Sequence, residues 1–193
     1  MRDRIKIHMK IRVIIINILV LLFAINGYGQ TCKVEFYLLK RVVESVDSTG
    51  MLSNFHVTVD DLEDTAFIKD DEITSFSIKK DTIDNKIRER HIFGVPKTVV
   101  ERINKLEIPL CGGKQFALLV DGKIVYEGYF WNFYSSFGCN GIVATAFGES
   151  ILIEKKLPDY GSEDNENKID KRNNRALFDC LKSTNRMENE GID

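Results

Sequence analysis

The sequence predicts an α+β fold with a mainly antiparallel sheet of six to eight strands, one internal helix and a short C-terminal helix. Three observations predict it. Several segments alternate apolar and polar residues with the period of two that strands have. Two dipeptides, Asp121-Gly122 and Gly148-Glu149, have the composition of tight hairpin turns. Two other segments carry apolar residues at helical spacing, so helices are expected beside the sheet.

Alternation predicts the strands of the first half of the chain. Every second side chain is apolar in residues 33–38, which predicts a strand. The same pattern over residues 54–60 predicts a second, half-exposed strand. A weaker alternation predicts a strand at residues 74–79, and the pattern in residues 87–95 is ambiguous.

Two hairpins are predicted in the second half. Segments 116–120 and 123–131 flank Asp121-Gly122, which is a signal for a two-residue type I′ turn. A regular register from this turn places Leu118 opposite Val125, with apolar side chains on both faces, as expected for strands in the middle of a sheet.

The second hairpin joins residues 142–147 to residues 151–156. Its turn is Gly148-Glu149, and glycine at the first central position is what a type II′ turn requires. Both predictions rest on backbone conformations that few residue types adopt.

The internal helix is predicted to follow Pro96. Thr98 and Glu101 have the spacing of a capping box, and an apolar stripe runs from Val99 to Leu106. Pro109 ends the segment. A second, short helix is predicted near the C-terminus, where four residues fall on one face: Ala176, Leu177, Cys180 and Leu181.

The N-terminus has the three parts of a secretory signal peptide. Five basic residues and one acidic residue precede an apolar run at residues 13–25, and small residues follow up to Gly29. We expect cleavage after Gly29 and a secreted or periplasmic location. The alternative is an uncleaved membrane anchor through residues 13–25, but this run is shorter than the roughly 20 residues that a spanning helix needs. The expected domains are a signal peptide at 1–29, a sheet domain at 30–158, and a charged linker with a short helix at 159–193.

Removal of the signal peptide makes the chain acidic. Residues 30–193 hold 22 basic and 28 acidic residues, which gives a net charge of −6. Binding to nucleic acid is driven mainly by Lys and Arg, so we expect no nucleic-acid partner. Contact with a membrane is expected only through the signal segment, if it is uncleaved.

Four cysteines lie in the expected mature chain, and an oxidising compartment favours disulfides. Four cysteines allow three pairings. The hairpin register places Cys111 and Cys139 at the same end of the sheet, which favours a bond between them, and Cys32 then pairs with Cys180 by elimination.

An aromatic-rich segment at residues 126–137 is the main candidate for a binding surface. Exposed aromatic rings stack on sugars or grip a protein partner, whereas aromatic residues in a strand usually belong to the core. Both interpretations stay open at this point. The candidate ligand or partner surface consists of Tyr129, Trp131, Phe133 and Tyr134.

No sequence motif assigns catalytic, cofactor or metal-binding residues. The expected mature chain has two histidines, His56 and His91, and neither accompanies a GxSxG motif. The acidic stretch at residues 60–72 lacks the spacing of a calcium-binding loop and fits a solvated loop. The sequence therefore predicts an exported, disulfide-stabilised binding or structural module without a cofactor, whose partner is a protein or a glycan. The alternative is a hydrolase that uses scattered carboxylates such as Asp60 or Glu127, because paired carboxylates leave no sequence signature.

Overall fold

A seven-stranded sheet organises the described part of the protein. The computed structural model describes residues 32–83, 86–110, 112–159 and 170–188. The strands are β1 (Val34–Leu38), β2 (Ser75–Ile83), β3 (Lys86–Gly94), β4 (Lys114–Val120), β5 (Lys123–Phe130), β6 (Val143–Phe147) and β7 (Ser150–Glu154). Their order across the sheet is β1-β4-β5-β6-β7-β3-β2, and all neighbours are antiparallel except β5 and β6. The prediction of an α+β fold with a mainly antiparallel sheet is confirmed.

Both predicted turns connect neighbouring strands. Asp121 and Gly122 have φ angles of 49° and 74°, the two positive values of a type I′ turn, and join β4 to β5. Gly148 has a φ of 63° and joins β6 to β7 in a two-residue turn.

The residues after β1 differ from the prediction, because 54–58 form no strand and Val59–Asp61 is a 3₁₀ helix. Phe55 is buried there by contact with a core ring, not by strand pairing.

The predicted register of the first hairpin is wrong beyond its first pairs. Val120 faces Lys123 and Leu119 faces Ile124 as expected, but Leu118 faces Tyr126, so Val125 is an extra residue in the ladder. This β-bulge turns Val125 and Tyr126 towards the same core. Alternation alone carries no signal for an inserted residue, which is why a regular register was expected.

Two α-helices lie in the described ranges, α1 (Lys97–Asn104) and α2 (Arg175–Ser183). The buried residues of α1 belong to the predicted apolar stripe. The predicted capping box is wrong, because Pro96 is the N-cap residue of α1 and no side chain caps it. In α2 the side chain of Asn174 accepts hydrogen bonds from the backbone of Ala176 and Leu177.

The two faces of the sheet support different cores. The face covered by α1 and α2 carries the larger core, which includes Phe36, Phe76, Phe93, Phe116, Tyr126 and Phe130. The opposite face is covered by loops and carries a smaller core, which includes Leu39, Phe55, Leu62, Tyr129, Trp131 and Val143. The alternation along β5 therefore places neighbouring aromatic residues in different cores.

One predicted disulfide is present. Cys32 and Cys180 are bonded, with their Cα atoms 5.5 Å apart, and tie α2 to the start of β1. Cys139 differs from the prediction, since it has a free, buried thiol, and its expected partner Cys111 lies outside the described residues. The inferred proximity assumed an antiparallel strand after β5, but β6 is parallel to β5 and follows the long connection 131–142. Burial raises the pKa of the Cys139 thiol to about 11.

The end of the predicted linker is part of the fold. Residues 160–169 lie outside the described ranges, whereas Arg172 is 2% exposed. Its guanidinium donates to the backbone carbonyls of Glu89 and Ile153 and to the carboxylate of Asp170. A linker interpretation based on charge missed this anchor. The expected signal segment, residues 1–29, lies outside the described residues. Among the described residues, no helix is long and apolar enough to span a membrane.

Candidate functional site

The aromatic segment divides at the end of β5. Its first four rings are at most 3% exposed, and they belong to Tyr126, Tyr129, Phe130 and Trp131. The three later rings are 56–86% exposed, and they belong to Phe133, Tyr134 and Phe137. The first half therefore belongs to the core, and a binding surface stays a prediction for the exposed half.

The exposed half borders a groove of about 400 Å³. Trp131, Phe133 and Tyr134 line one side of the groove, and Phe147 at the end of β6 lines another. Leu106 and Ile108, which follow α1, and Ala146 of β6 complete the apolar lining. Three elements that are distant in sequence thus meet at one concave surface, which is the usual form of a ligand site. We call it the aromatic groove.

Phe133 connects the rings of the aromatic groove. Its ring stacks on Phe147, with centroids 5.8 Å apart and an interplanar angle of 23°. Tyr134 meets Phe133 edge-on at 5.6 Å. Phe147 is 70% exposed and was not predicted as a site residue. The sequence around Phe147, beside a hairpin turn, does not indicate a site residue, because the ring that it contacts is distant in sequence.

Polar groups accompany these rings, including the side chain of Asn104 and the hydroxyl of Tyr134. The indole Nε1 of Trp131 is buried and has no hydrogen-bond partner among the described residues. The side chain of Asn132 also lines the groove, and its Oδ1 accepts a hydrogen bond from the backbone amide of Tyr134, which fixes the loop after β5. None of the lining residues carries a charge. The groove thus suits an uncharged ligand with an apolar surface and a hydrogen-bond acceptor.

Tyr129 does not share this surface, although the sequence grouped it with Trp131. It is 1% exposed, and its hydroxyl donates to the backbone carbonyl of Ser53 at 2.7 Å and contacts the hydroxyl of Ser45. Burial raises the pKa of the Tyr129 phenol. The side chain anchors the loop that covers the smaller core, because strand alternation directs it into that core.

The two carboxylates named by the alternative hypothesis have different surroundings. Glu127 is 8% exposed and lies 3.1 Å from the Lys171 ammonium and 3.3 Å from Nδ1 of His56. Asp60 lies on the exposed 3₁₀ helix after residue 58. Within the described ranges, no group of three or more His, Cys, Asp or Glu residues is arranged to hold a metal ion.

A buried polar cluster lies below the larger core. Nε2 of the fully buried His91 lies 3.1 Å from the Glu89 carboxylate, and this hydrogen bond is the main cause that lowers the pKa of Glu89 to about 2. Burial raises the pKa of the nearby Tyr126 phenol. For Asp170, burial acts in the opposite direction to the hydrogen bonds from Arg172, and the net effect lowers its pKa. The hydroxyl of Tyr126 and Nδ1 of His91 are buried without a hydrogen-bond partner among the described residues.

No protein-family model and no curated protein matches this sequence. Among solved structures, the chain is similar to two described as SecDF in a super-membrane-facing form and as a membrane component, SecDF, that enhances protein export. The identities are 11% and 12%, each over 66% of this chain, with a TM-score of 0.37 in both cases. The match covers 17% and 56% of those chains, so this chain spans less than two thirds of their length. A likeness of this degree carries no argument about function.

Proposed function

We propose that this chain is an exported, disulfide-stabilised binding module that holds its ligand in the aromatic groove. The observation that carries the proposal is the set of exposed rings, Phe133, Tyr134 and Phe147, beside a concave surface with the buried indole of Trp131. Exposed aromatic rings that cluster around a concavity are typical of recognition surfaces, because a ligand that covers them removes apolar area from water.

Two features support export. Residues 1–29 have the composition of a cleavable signal, and the Cys32–Cys180 bond is of a kind that persists in oxidising compartments. We therefore propose that the mature chain begins at Gln30 and functions in the periplasm or outside the cell. A chain that retained the apolar run 13–25 would instead be anchored to the membrane.

Trp131 provides a direct test, because it is the single tryptophan of the chain. Titration of the purified protein with defined peptides and oligosaccharides should change its fluorescence in a saturable way. Phe147→Ala should weaken this binding by about tenfold, a typical cost of removing an interface aromatic. Phe137→Ala is the matched control, since Phe137 is a 56% exposed ring that is not part of the groove lining.

The same ligands distinguish the module from the hydrolase alternative. Each one that binds is incubated with the protein and analysed for cleavage. Turnover that Glu127→Gln abolishes would favour the hydrolase, and saturable binding without turnover favours the module. A response of Trp131 that is equal in the Phe147→Ala protein would contradict the proposed location of the site.

A further inference from the structure

We infer that the ligand of the aromatic groove is an uncharged, extended peptide segment that pairs in parallel with the open edge of β6 at Ala146. This inference rests on the proposed function and adds the chemical class of the ligand. It is carried by the backbone of β6, which continues beyond the point where its neighbour β5 leaves the sheet.

The pairing between β5 and β6 is short. Tyr129 pairs with Val143 and Phe130 with Ala144, and the backbone amide of Trp131 makes the last bond, to the carbonyl of Ala144. The chain then turns away through a bond from the amide of Ser135 to the carbonyl of Asn132. From this point on, β6 has no strand on its β5 side in the described ranges.

The register shows which backbone groups of β6 have no partner beyond the end of β5. The carbonyls of Ile142 and Ala144 accept from the amides of Tyr129 and Trp131, so even-numbered residues of β6 direct their backbone groups towards the β5 side. Ala146 is the next even residue, whereas Thr145 and Phe147 are directed at β7. The backbone bonds of the described residues include none from Ala146 to β5 or to the loop after it. An N–H donor and a C=O acceptor on one residue are thus open at the edge of the aromatic groove.

A peptide strand complements this arrangement better than a sugar does. Open strand edges recruit extended segments, whose alternating N–H and C=O groups match the edge while their side chains enter adjacent pockets. A strand in register with β6 would continue the position that β5 leaves, about 4.8 Å away. Phe147 and Phe133 would contact its side chains, and the uncharged lining excludes strongly charged segments.

The orphan indole of Trp131 fits the same ligand. A Cβ on Gly113 would lie 3.0 Å from Cε3 of Trp131, so this edge of the indole faces the residue just before β4. Nε1 lies on the opposite side of the ring system and has no described partner. A peptide carbonyl supplies the acceptor that a buried N–H needs.

The test begins with a phage-displayed library of random 12-residue peptides, selected on the purified protein. The best peptide is synthesised with blocked ends, and each backbone amide is methylated in turn. We expect one or two N-methyl positions to weaken binding by about tenfold, the effect of losing one hydrogen bond, while the others change it by less than about twofold. Amide and indole NMR signals of Ala146 and Trp131 should shift on binding.

A variant of the protein tests the same contact from the other side. Ala146→Pro removes the backbone donor that faces the groove, at a position where an open edge tolerates proline, and should weaken binding of the peptide by about tenfold. A thermal unfolding curve checks that the variant keeps its fold. Failure to select any peptide with a Kd below about 1 mM, or equal binding of all N-methylated forms, would overturn the inference. Chitohexaose or xylohexaose binding at the groove without peptide binding would overturn it and leave the proposed function intact. If neither peptides nor sugars change the fluorescence of Trp131, both proposals fail.

Discussion

Substitution of Arg172 is the sharpest test of how the C-terminal segment is held. The side chain is 2% exposed and makes hydrogen bonds to the carbonyls of Glu89 and Ile153 and to the carboxylate of Asp170. Arg172→Met keeps the length and apolar stem of the side chain while it removes the charge and every donor. The Asp170 carboxylate, 18% exposed, is then left without its partner.

The expected loss of stability is about 3–5 kcal/mol. Removal of one partner from a buried ion pair costs this much, because the remaining charge is desolvated without compensation. The two carbonyls lose their donors as well, which places the value at the upper end. Protonation of Asp170 removes the uncompensated charge, so the cost should shrink at a pH below the ordinary pKa of an aspartate.

Urea unfolding followed by the fluorescence of Trp131 measures the change in the free energy of unfolding. Arg175→Ala is the matched control, since Arg175 is 95% exposed in its pair with Asp179 and should change stability by less than about 0.5 kcal/mol. The double variant Asp170→Asn with Arg172→Met should recover part of the loss, because no unpaired charge remains. A cost below about 1 kcal/mol for Arg172→Met would refute the reasoning.

Three further results are expected. Replacement of Cys32 and Cys180 by serine opens a loop with a sequence separation of 148 residues and should lower the free energy of unfolding by about 5 kcal/mol on the chain-entropy model, whereas an effect below about 1 kcal/mol would contradict that role. Because the pKa of Glu89 is lowered to about 2, its contribution to stability should be present above the ordinary pKa near 4.5 and be lost as the pH falls from there to about 2. Glu89→Gln should reduce this loss of unfolding free energy at acid pH. An unchanged pH dependence would assign the loss to other carboxylates. N-terminal sequencing of the exported protein should begin at or close to Gln30, and a membrane-bound form that retains residues 1–29 would show the anchor to be correct.

The parts of the fold that could be predicted are those that the local chain specifies. Asp121-Gly122 and Gly148 require positive φ angles that few residues adopt, so their turns are visible in the sequence. The helical stripe at Val99–Ile103 is equally local. The bulge at Val125 and the burial of Arg172 depend on partners far along the chain, and neither changes the local pattern of polarity.

The candidate site shows the same division. Trp131, Phe133 and Tyr134 were predicted because aromatic residues cluster in the sequence. The same cluster includes the buried Tyr129, which does not line the groove, since composition does not distinguish the strand from the loop after it. Phe147 was missed because its contact with Phe133 joins two strand ends that are neighbours only in space.

The parallel pairing of β5 and β6 is the feature that creates the aromatic groove. No local sequence pattern predicts this pairing. A parallel neighbour requires a long connection, here residues 131–142, in place of a tight turn. Gly128 permits the close approach, because a Cβ at this position would lie 2.7 Å from the carbonyl oxygen of Ile142. The end of β5 and the start of β6 then overlap by only two residue pairs, so the second half of β6 continues past the last pair. In an antiparallel hairpin the two strands would pair along their whole length, and neither an open backbone at Ala146 nor a concavity between Trp131 and Phe147 would exist. The site therefore follows from how far β5 and β6 are offset, and the exposed rings border the space that this offset leaves.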